Sequence, residues 1–192
     1  MKLSNLWQEK NVTLSFEAFP PKRDSDFDYV RFAVEQIAEL KPDFMSVTYG
    51  AGGGTSAYTA EIARIVQAGH GVPALAHLTC VSSTRDRIHQ ELKHLQDAGV
   101  ENTLALRGDY PDGYDPTAPR DFRYAADLIR EIREYGGFCI GAACYPEGHV
   151  ESHSQEEDLI HLKEKVDCGV DFLTTQMFFD NNIFYNFLYR AK

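Results

Sequence analysis

The sequence predicts an α/β fold of the (β/α)8-barrel type, with only about six βα units in its 192 residues. Two patterns predict this class: short β-rich apolar runs recur at intervals of about 30 residues, and helical patterns lie between them. Each run is seven or eight residues long, which is the length of a strand. The runs begin at Thr13, Phe44, Pro73, Asn102, Cys139 and Phe172. Such an alternation is typical of parallel βα units.

Helical periodicity follows most of the predicted strands. After the third run, Ser83 and Thr84 are candidate N-caps for a helix whose apolar residues recur at spacings of three and four. After the fifth run, Ser154 and Glu157 have the spacing of a capping box. The helix after the second run, near residues 59–67, has the weakest pattern. The sequence therefore predicts a helix between each pair of strands.

A parallel sheet of this kind is either doubly wound and open or closed into a barrel, and the strand composition favours the barrel. Doubly wound strands usually read as continuous Val, Ile and Leu, whereas here Glu17, His77 and Gln176 interrupt the apolar runs. No G-x-G-x-x-G motif follows the first run. Because a barrel of eight units needs roughly 250 residues, we expect residues 1–192 to form a single, incomplete barrel domain.

The composition excludes several classes of protein. Lys and Arg number 19 against 29 Asp and Glu, a net charge of −10, which argues against a nucleic-acid-binding surface. No stretch approaches the roughly 18 apolar residues of a membrane-spanning helix, and the first ten residues lack the apolar run of a signal peptide. The cysteines form no C-x-x-C pair, so we expect free thiols and a cytoplasmic location. They are Cys80, Cys139, Cys144 and Cys168.

Glu17 is the first candidate for chemistry, because it lies in an apolar run between Phe16 and Ala18. A carboxyl group there is costly unless it is paired or functional. Burial favours its protonated form, which makes Glu17 a candidate proton donor. The alternative is a structural salt bridge with Lys22 or Arg107.

Arg107, Gly108 and Asp109 close the fourth run, where barrel enzymes carry their chemistry. Gly108 would let the backbone approach a ligand closely, and Asp109 would place a second carboxylate on the same edge as Glu17. The alternative is a simple turn at the strand end. His149 and His153 are four residues apart, but an adjacent glycine argues against helical spacing, and we predict no metal site.

Six motifs occur along the chain in a fixed order and cover nearly all of it. They read SFEAFPPK, SVTYGAGG, AHLTC, ALRGDYPDG, ACYPEGH and HLKEKVDCGVDFLTTQMFFD. Together they resemble methylenetetrahydrofolate reductases of the bacterial type. The resemblance implies a barrel that holds FAD at the C-terminal ends of its strands. It also implies hydride transfer from NADH or NADPH to FAD, and then from FAD to 5,10-methylenetetrahydrofolate, which yields 5-methyltetrahydrofolate.

The same resemblance implies roles for individual residues. Glu17 resembles the general acid that protonates a folate nitrogen, and Asp109 resembles the carboxylate that contacts the pterin near the flavin. These two are the implied catalytic residues, and with Gln176, which contacts folate and nicotinamide in turn, they are the implied substrate-binding residues. The implied FAD-binding residues are Thr48, Tyr49, Ala51, His77, Arg107, Gly108, Asp109, Ala125, Tyr145, His149, Asp158 and Lys165.

Two alternatives to a complete flavin-dependent reductase stay open. The first is a truncated or degenerate family member, which binds FAD weakly or acts as a subunit completed by another chain. Ala18, His161 and Glu164 differ from the residues usual at these positions in the family. The second is a barrel lyase or aldolase, which would need a Schiff-base lysine at a strand end. The expected partners are the folate substrate and either a second copy or a completing chain, with no nucleic acid and no membrane.

Overall fold

The computed structural model describes residues 1–21, 23–49, 56–110, 113, 115 and 118–192. The strands are β1 (Ser15–Ala18), β2 (Phe44–Val47), β3 (Ala74–Thr79), β4 (Asn102–Leu106), β5 (Cys139–Cys144) and β6 (Phe172–Thr175). The helices are α1 (Leu3–Glu9), α2 (Phe27–Glu39), α3 (Ser56–Arg64), α4 (Arg85–Asp97), α5 (Ala125–Tyr135), α6 (Gln155–Asp167) and α7 (Asn181–Ala191). A short 3-10 turn at Asp24–Asp26 precedes α2, and a π-helical turn at Ile65–Gly69 follows α3.

The six strands pair in parallel and in chain order, from β1 to β6. This confirms the predicted α/β class and all six predicted strands. Each strand is shorter than its apolar run by two to four residues. The last residues of every run lie beyond the ladder, and β1 and β3 also begin later than their runs. All the strands end at the same edge of the sheet, which we call the C-terminal rim and which comprises the strand ends and the residues directly after them.

Alternation along the strands separates two apolar clusters. Side chains on one face of the sheet, such as Met45, Ala76 and Leu78, pack against the surrounding helices in the main core. Side chains on the other face, such as Leu75 and Leu104, form a smaller inner cluster near the start of the strands. Apart from Asn102, the inner face is therefore apolar at the N-terminal end of the strands, and it carries polar residues closer to the C-terminal rim.

Helix α1 shows that the sheet is curled. Its Leu3 and Leu6 are buried in the inner cluster. The Trp7 ring lies edge-on to Phe44 of β2 and to Phe172 of β6, with ring centroids 6.1 and 4.7 Å apart. Because one short helix contacts two strands that are four positions apart in the sheet, the sheet must wrap around it. The apolar pattern does not predict α1, since only two of its seven residues are buried.

A buried asparagine holds α1 in place. The Leu3 N–H donates to Asn102 Oδ1 at 2.8 Å, and Asn102 Nδ2 donates to the carbonyl oxygens of Met1 and Ala74, both at 3.1 Å. A fully buried amide that makes all these bonds avoids the penalty of an unsatisfied polar group. Asn102 thus joins α1 to the first residues of β3 and β4.

The two outer strands are open edges in the part of the chain that the structure describes. There, β1 pairs only with β2, and β6 pairs only with β5. Exposed apolar side chains flank both edges. They are Leu14, Phe19, Tyr29 and Phe32 near β1, and Leu173, Met177, Phe179, Leu188 and Tyr189 near β6. Unpaired parallel edge strands with exposed apolar side chains beside them are rare in native folds. These edges agree with the expected incomplete barrel.

The predicted helix starts are largely confirmed. Thr84 Oγ1 accepts from the Arg87 N–H at 3.3 Å, and Ser154 Oγ accepts from the Glu157 N–H at 3.1 Å. The Glu157 carboxylate bonds to the N–H of His153, one residue before the expected Ser154, so the second half of the capping box is shifted. The weakly predicted helix after the second strand is present as α3.

The cysteines are free, as expected. Cys80, Cys139 and Cys144 are buried and Cys168 is half-buried. Burial raises the pKa of Cys80 to about 12 and that of Cys144 to about 11, so both remain protonated and unreactive near neutral pH. In the described ranges, no helix combines the length and the apolar character needed to cross a bilayer.

His77 lies on the inner face of β3 and is only 9% exposed. Burial disfavours the charged imidazolium and lowers the pKa of His77 to about 4. The ring is therefore neutral near neutral pH, where it can offer one donor and one acceptor to a ligand on this face.

We expect Gly141→Ala to destabilise the fold by about 2 kcal/mol, because an added methyl group overpacks the inner cluster. A Cβ at Gly141 would lie 2.3 Å from Cζ of Phe172, and the Phe172 ring is held by Trp7. Gly69→Ala is the matched control, since no atom lies within 4 Å of its Cβ position. Urea unfolding of both variants measures the difference. Equal stability of the two variants would contradict the packing described for β5 and β6.

The buried His77 also predicts a loss of stability in mild acid. Below about pH 6.5 the unfolded chain binds a proton that the folded chain does not take up until about pH 4. This site should cost about 2 kcal/mol of unfolding free energy between about pH 7 and about pH 5. Urea titrations at both pH values should show this loss reduced in His77→Gln but unchanged in His153→Gln, which alters an exposed histidine. The same pH dependence in wild type and His77→Gln would refute the assignment.

Candidate active site

The ends of β4 and β5 bring together five of the twelve residues implied to bind FAD. Arg107 follows β4, and Tyr145 and His149 follow β5. Asp158 and Lys165 lie on α6 and face the same strand ends. We call these five residues the β4–β5 cluster. They come from two neighbouring βα units, and the parallel pairing of β4 with β5 places them side by side.

Arg107 is the most constrained side chain of the cluster. Its Nη1 and Nη2 donate to the two carboxylate oxygens of Glu151 at 2.5 and 2.7 Å. Nε donates to the Gly108 carbonyl oxygen at 3.1 Å, and Nη1 also donates to the Tyr110 hydroxyl at 3.0 Å. The guanidinium carbon lies 4.2 Å from the centroid of the Tyr110 ring. Hydrogen bonding to Glu151 raises the pKa of Arg107 and lowers that of Glu151, so both stay charged.

Tyr145 is the centre of the other half of the cluster. The His149 ring stands edge-on to it, with centroids 4.7 Å apart, and the Lys165 ammonium lies 5.7 Å from its centroid. Lys165 Nζ donates to the Ala143 carbonyl oxygen at 2.7 Å. Burial raises the pKa of Tyr145 and lowers the pKa of Lys165. The negative charge of Asp158 partly offsets the lowering of the Lys165 pKa. The result is a polar aromatic surface with a cation beside it.

Gly108 packs directly against the end of β3. Its φ is +86°, which favours glycine, and a Cβ there would lie 3.0 Å from Cβ of Thr79. The Val81 N–H donates to the Arg107 carbonyl oxygen at 2.8 Å, which ties the two strand ends together. A side chain at position 108 would therefore push the residues after β3 and β4 apart.

The expectation that Glu17 is buried is wrong. Its side chain is exposed on the inner face of β1, because β1 is an edge strand and the space beside it is open. Ser46 Oγ donates to Glu17 Oε2 at 3.5 Å across the β1–β2 ladder. The alternative of a salt bridge with Arg107 is also wrong, since that guanidinium binds Glu151. Lys22 lies outside the described residues.

Asp109 and Gln176, the other two residues implied to bind substrate, are exposed on the C-terminal rim. Asp109 is close enough to the β4–β5 cluster to contribute to the raised pKa of Tyr145. The backbone N–H of Gln176 donates to the Cys144 carbonyl oxygen at 2.7 Å, which continues the β5–β6 pairing to the rim. The structure therefore places both residues at the rim, and Glu17 lies on the inner face at the opposite edge of the sheet.

The remaining implied cofactor residues lie on the same rim or just outside the described ranges. Thr48 follows β2, and its N–H donates to the Ala18 carbonyl oxygen at 3.0 Å. Tyr49 is half-buried against the main core. Ala125 is the first residue of α5, directly after Tyr124, whose carbonyl oxygen accepts from Cys80 Sγ at 3.6 Å. Ala51 lies outside the described residues.

The residues that differ from the usual family pattern have ordinary local environments. Ala18 is buried in the main core. His161 and Glu164 are exposed on α6 and pair with each other, with His161 Nδ1 3.2 Å from Glu164 Oε2. Glu164 thus has a local partner on the helix surface. Among the described residues, no three His, Cys, Asp or Glu side chains form a group that could hold a metal ion.

Glu151, Tyr110 and Ser46 are contact residues that no sequence motif predicts. Glu151 and Tyr110 both bind Arg107, and Ser46 binds Glu17. The Arg107–Glu151 pair could have been predicted only from the presence of opposite charges after two adjacent parallel strands. Glu151 lies several residues beyond the end of β5, so its position in the sequence does not indicate that it reaches Arg107.

A cavity of about 220 Å³ adjoins the β4–β5 cluster. It lies between the loop after β5, the start of α6 and the inner side of α7. Tyr145, Gly148 and Asp158 line one side, and Phe187 and Arg190 of α7 line the other. Arg190 donates to Gln155 Oε1 at 2.7 Å and to Glu156 Oε1 at 3.0 Å, which joins α7 to α6. The cavity thus extends from the cluster to α7.

Comparison with known structures places the fold among barrels of the TIM type. A protein from Clostridium thermocellum, described as binding two copies of 5-methyl-5,6,7,8-tetrahydrofolic acid, matches with a TM-score of 0.68 and 11% identity. The match covers 100% of this chain and 63% of that one. At this identity the likeness shows the fold alone. The six strands therefore form part of a curled (β/α)8 barrel.

Comparison with known sequences shows the family. The family model for methylenetetrahydrofolate reductase matches residues 2–192. Methylenetetrahydrofolate reductase 1 of Schizosaccharomyces pombe is 42% identical over 178 residues, which cover 91% of this chain and 29% of that protein. The 5,10-methylenetetrahydrofolate reductase of Pectobacterium carotovorum is 38% identical over 170 residues, or 88% of this chain and 55% of that protein. The chain thus spans about half or less of these relatives' length, and it belongs to the methylenetetrahydrofolate reductase family.

Proposed function

We propose that the chain carries the FAD-binding part of an enzyme that reduces 5,10-methylenetetrahydrofolate to 5-methyltetrahydrofolate with NADH or NADPH. The observation that carries the proposal is the β4–β5 cluster, in which five residues implied to bind FAD meet on one rim of the sheet. Family membership supports the reaction. The four free cysteines support a cytoplasmic location. The proposed place of the enzyme in one-carbon metabolism and methionine biosynthesis rests on family membership.

The cluster suits a group that combines flat rings with a pyrophosphate. Tyr145 and His149 offer aromatic surface, and Arg107 and Lys165 offer positive charge in a chain that is otherwise acidic. Gly108 leaves the rim free of a side chain beside Arg107. FAD bound here would supply the hydride chemistry, while the chain orients it and sets the charge around it. His77, Thr48, Tyr49, Ala51 and Ala125 would complete the contacts in this proposal.

The substrate would lie on the inner face between Glu17 and Gln176. Glu17 would donate a proton to the folate nitrogen as its bond to the bridging methylene group breaks, and the nitrogen would keep the electron pair of that bond. Ser46 would hold the Glu17 carboxyl group by its hydrogen bond. Asp109 would contact the pterin from the rim, and the Gln176 amide would contact folate and nicotinamide in turn. A single face that serves both substrates predicts ping-pong kinetics.

The open edges support a second proposal, in which the chain works as a subunit completed by a partner or by a second copy. Both β1 and β6 have unpaired edges within the described residues, and exposed apolar side chains flank them. A pair of further βα units would cover these side chains and would bury Glu17. The lyase and aldolase alternative gains no support. The chain resembles barrel lyases in fold, and a shared fold does not indicate a shared reaction.

The proposed function predicts that the purified chain binds FAD and that NADH or NADPH bleaches the visible absorbance of the bound flavin. Adding 5,10-methylenetetrahydrofolate without air should restore the absorbance and form 5-methyltetrahydrofolate. Anaerobic absorbance spectroscopy with product analysis measures both steps, and omission of folate is the control. FAD uptake only in the presence of a second chain would favour the completed subunit. A chain that takes up no FAD under either condition would contradict both proposals.

The role of Glu17 predicts a selective effect of Glu17→Gln. The variant keeps the size and polarity of the side chain but has no acidic proton, so the folate half-reaction should slow by about 100-fold. The nicotinamide half-reaction should be unchanged, because Glu17 takes no part in it. Stopped-flow measurement of each half-reaction separates the two effects, with Glu39→Gln on α2 as an exposed control. Full-rate folate reduction by Glu17→Gln would remove Glu17 from the mechanism.

A further inference from the structure

Glu151 joins the two halves of the proposed cofactor site. It lies in the loop between β5 and α6, 44 residues beyond Arg107, and its carboxylate receives both Nη groups of that arginine. The Arg107 side chain is 16% exposed, whereas that of Glu151 is 47% exposed. An acidic side chain therefore reaches in from the solvent side to hold a largely covered guanidinium.

The contacts leave Arg107 almost no freedom. A guanidinium group has five N–H donors, and four hydrogen bonds use four of them: two to Glu151, one to the Tyr110 hydroxyl and one to the Gly108 carbonyl oxygen. One face of the group lies over the Tyr110 ring. A ligand can therefore meet only the remaining Nη2–H and the opposite face. Without Glu151, two of the four bonds would be lost and the long side chain could turn away.

The same residue also holds the loop after β5. The Glu151 N–H donates to His149 Nδ1 at 3.2 Å, and the His149 ring stands against Tyr145. The next residue, Ser152, donates from its N–H to the His149 carbonyl oxygen at 3.0 Å and from its hydroxyl to Asp158 Oδ1 at 3.4 Å. Glu151 thus connects Arg107 on the β4 side to His149, Tyr145 and Asp158 on the β5 side.

We propose that Glu151 is a positioning residue of the cofactor site, which orients Arg107 and sets the loop that carries His149 before FAD arrives. The inference rests on the proposed function, because it takes the β4–β5 cluster as the FAD site. A competing interpretation treats Glu151 as an anion that occupies Arg107 until the FAD pyrophosphate displaces it. The two interpretations predict opposite effects of removing the Glu151 charge on FAD affinity.

The test is a titration of the apo-protein with FAD, followed by quenching of flavin fluorescence. We expect Glu151→Gln to weaken FAD binding about fivefold, since it replaces a bidentate ion pair by a weaker neutral contact. Glu147→Gln is the matched control: it removes one negative charge from the same exposed loop, and among the described residues Glu147 has no ion pair. Removal of any nearby acidic residue should raise the affinity for an anionic cofactor, and the control measures the size of this general effect.

A double-mutant cycle shows whether Glu151 acts through Arg107. In an Arg107→Ala background, Glu151→Gln should cause no further loss of FAD affinity, because the group that it positions is gone. Glu151→Asp should recover part of the affinity lost in Glu151→Gln. Thermal unfolding of the apo-proteins should give the same melting temperature for Glu151→Gln and the wild type. Equal melting temperatures would separate a positioning role from a loss of folding stability.

Three outcomes would overturn the inference. Unchanged or tighter FAD binding by Glu151→Gln would show that Glu151 does not position Arg107 for the cofactor. An equal loss from Glu151→Gln in the presence and absence of Arg107 would show that it acts by another route. If the wild-type chain binds no FAD, the proposed function fails together with this inference, whereas the first two outcomes leave the proposed function standing.

Discussion

The parallel pairing of β1 to β6 in chain order is the constraint on which the rest of the structure depends. Each strand runs beside its predecessor in the same direction, so every βα connection starts from the same rim. Residues far apart in the sequence therefore become neighbours: Arg107 and Glu151 are 44 positions apart and share a bidentate ion pair. The candidate site is a consequence of that pairing, since its residues come from separate segments: Arg107 follows β4, Tyr145 and His149 follow β5, and Lys165 lies on α6.

The curl of the sheet decides which parts of the site are sheltered. At the start of the strands, α1 fills the inner face, and Gly141 leaves room for the Phe172 ring beside it. In the middle of the sheet, His77 is only 9% exposed, and its ring is neutral near neutral pH. At the edge, Glu17 faces open space although it lies on the same face. The burial of inner-face side chains therefore decreases from β3 towards β1. Glu17, the proposed proton donor, is the residue whose chemistry depends most on what covers the β1 edge.

Much of the fold could be predicted from the sequence, because strand length and helical period are local properties. All six strands and the helices between them follow from runs and spacings. The short helix α1 could not be predicted, because its burial depends on Trp7 meeting two strands that are distant in the sequence. The burial of Glu17 was wrongly predicted for a related reason: an apolar flank indicates a strand, but only the neighbouring strands determine which side chains are covered. The contact of Glu151 with Arg107 could not be predicted, because only the tertiary structure brings these two residues together.

The property on which these proposals depend most is binding of FAD on the C-terminal rim, at the ends of β4 and β5. The most direct measurement is the amide NMR spectrum of the labelled chain during addition of FAD. The account predicts shifts concentrated at Gly108, Tyr145 and His149, with the signals of Leu3 and Leu6 in α1 unchanged. The largest shifts in α1, or no shifts at saturating FAD, would contradict it.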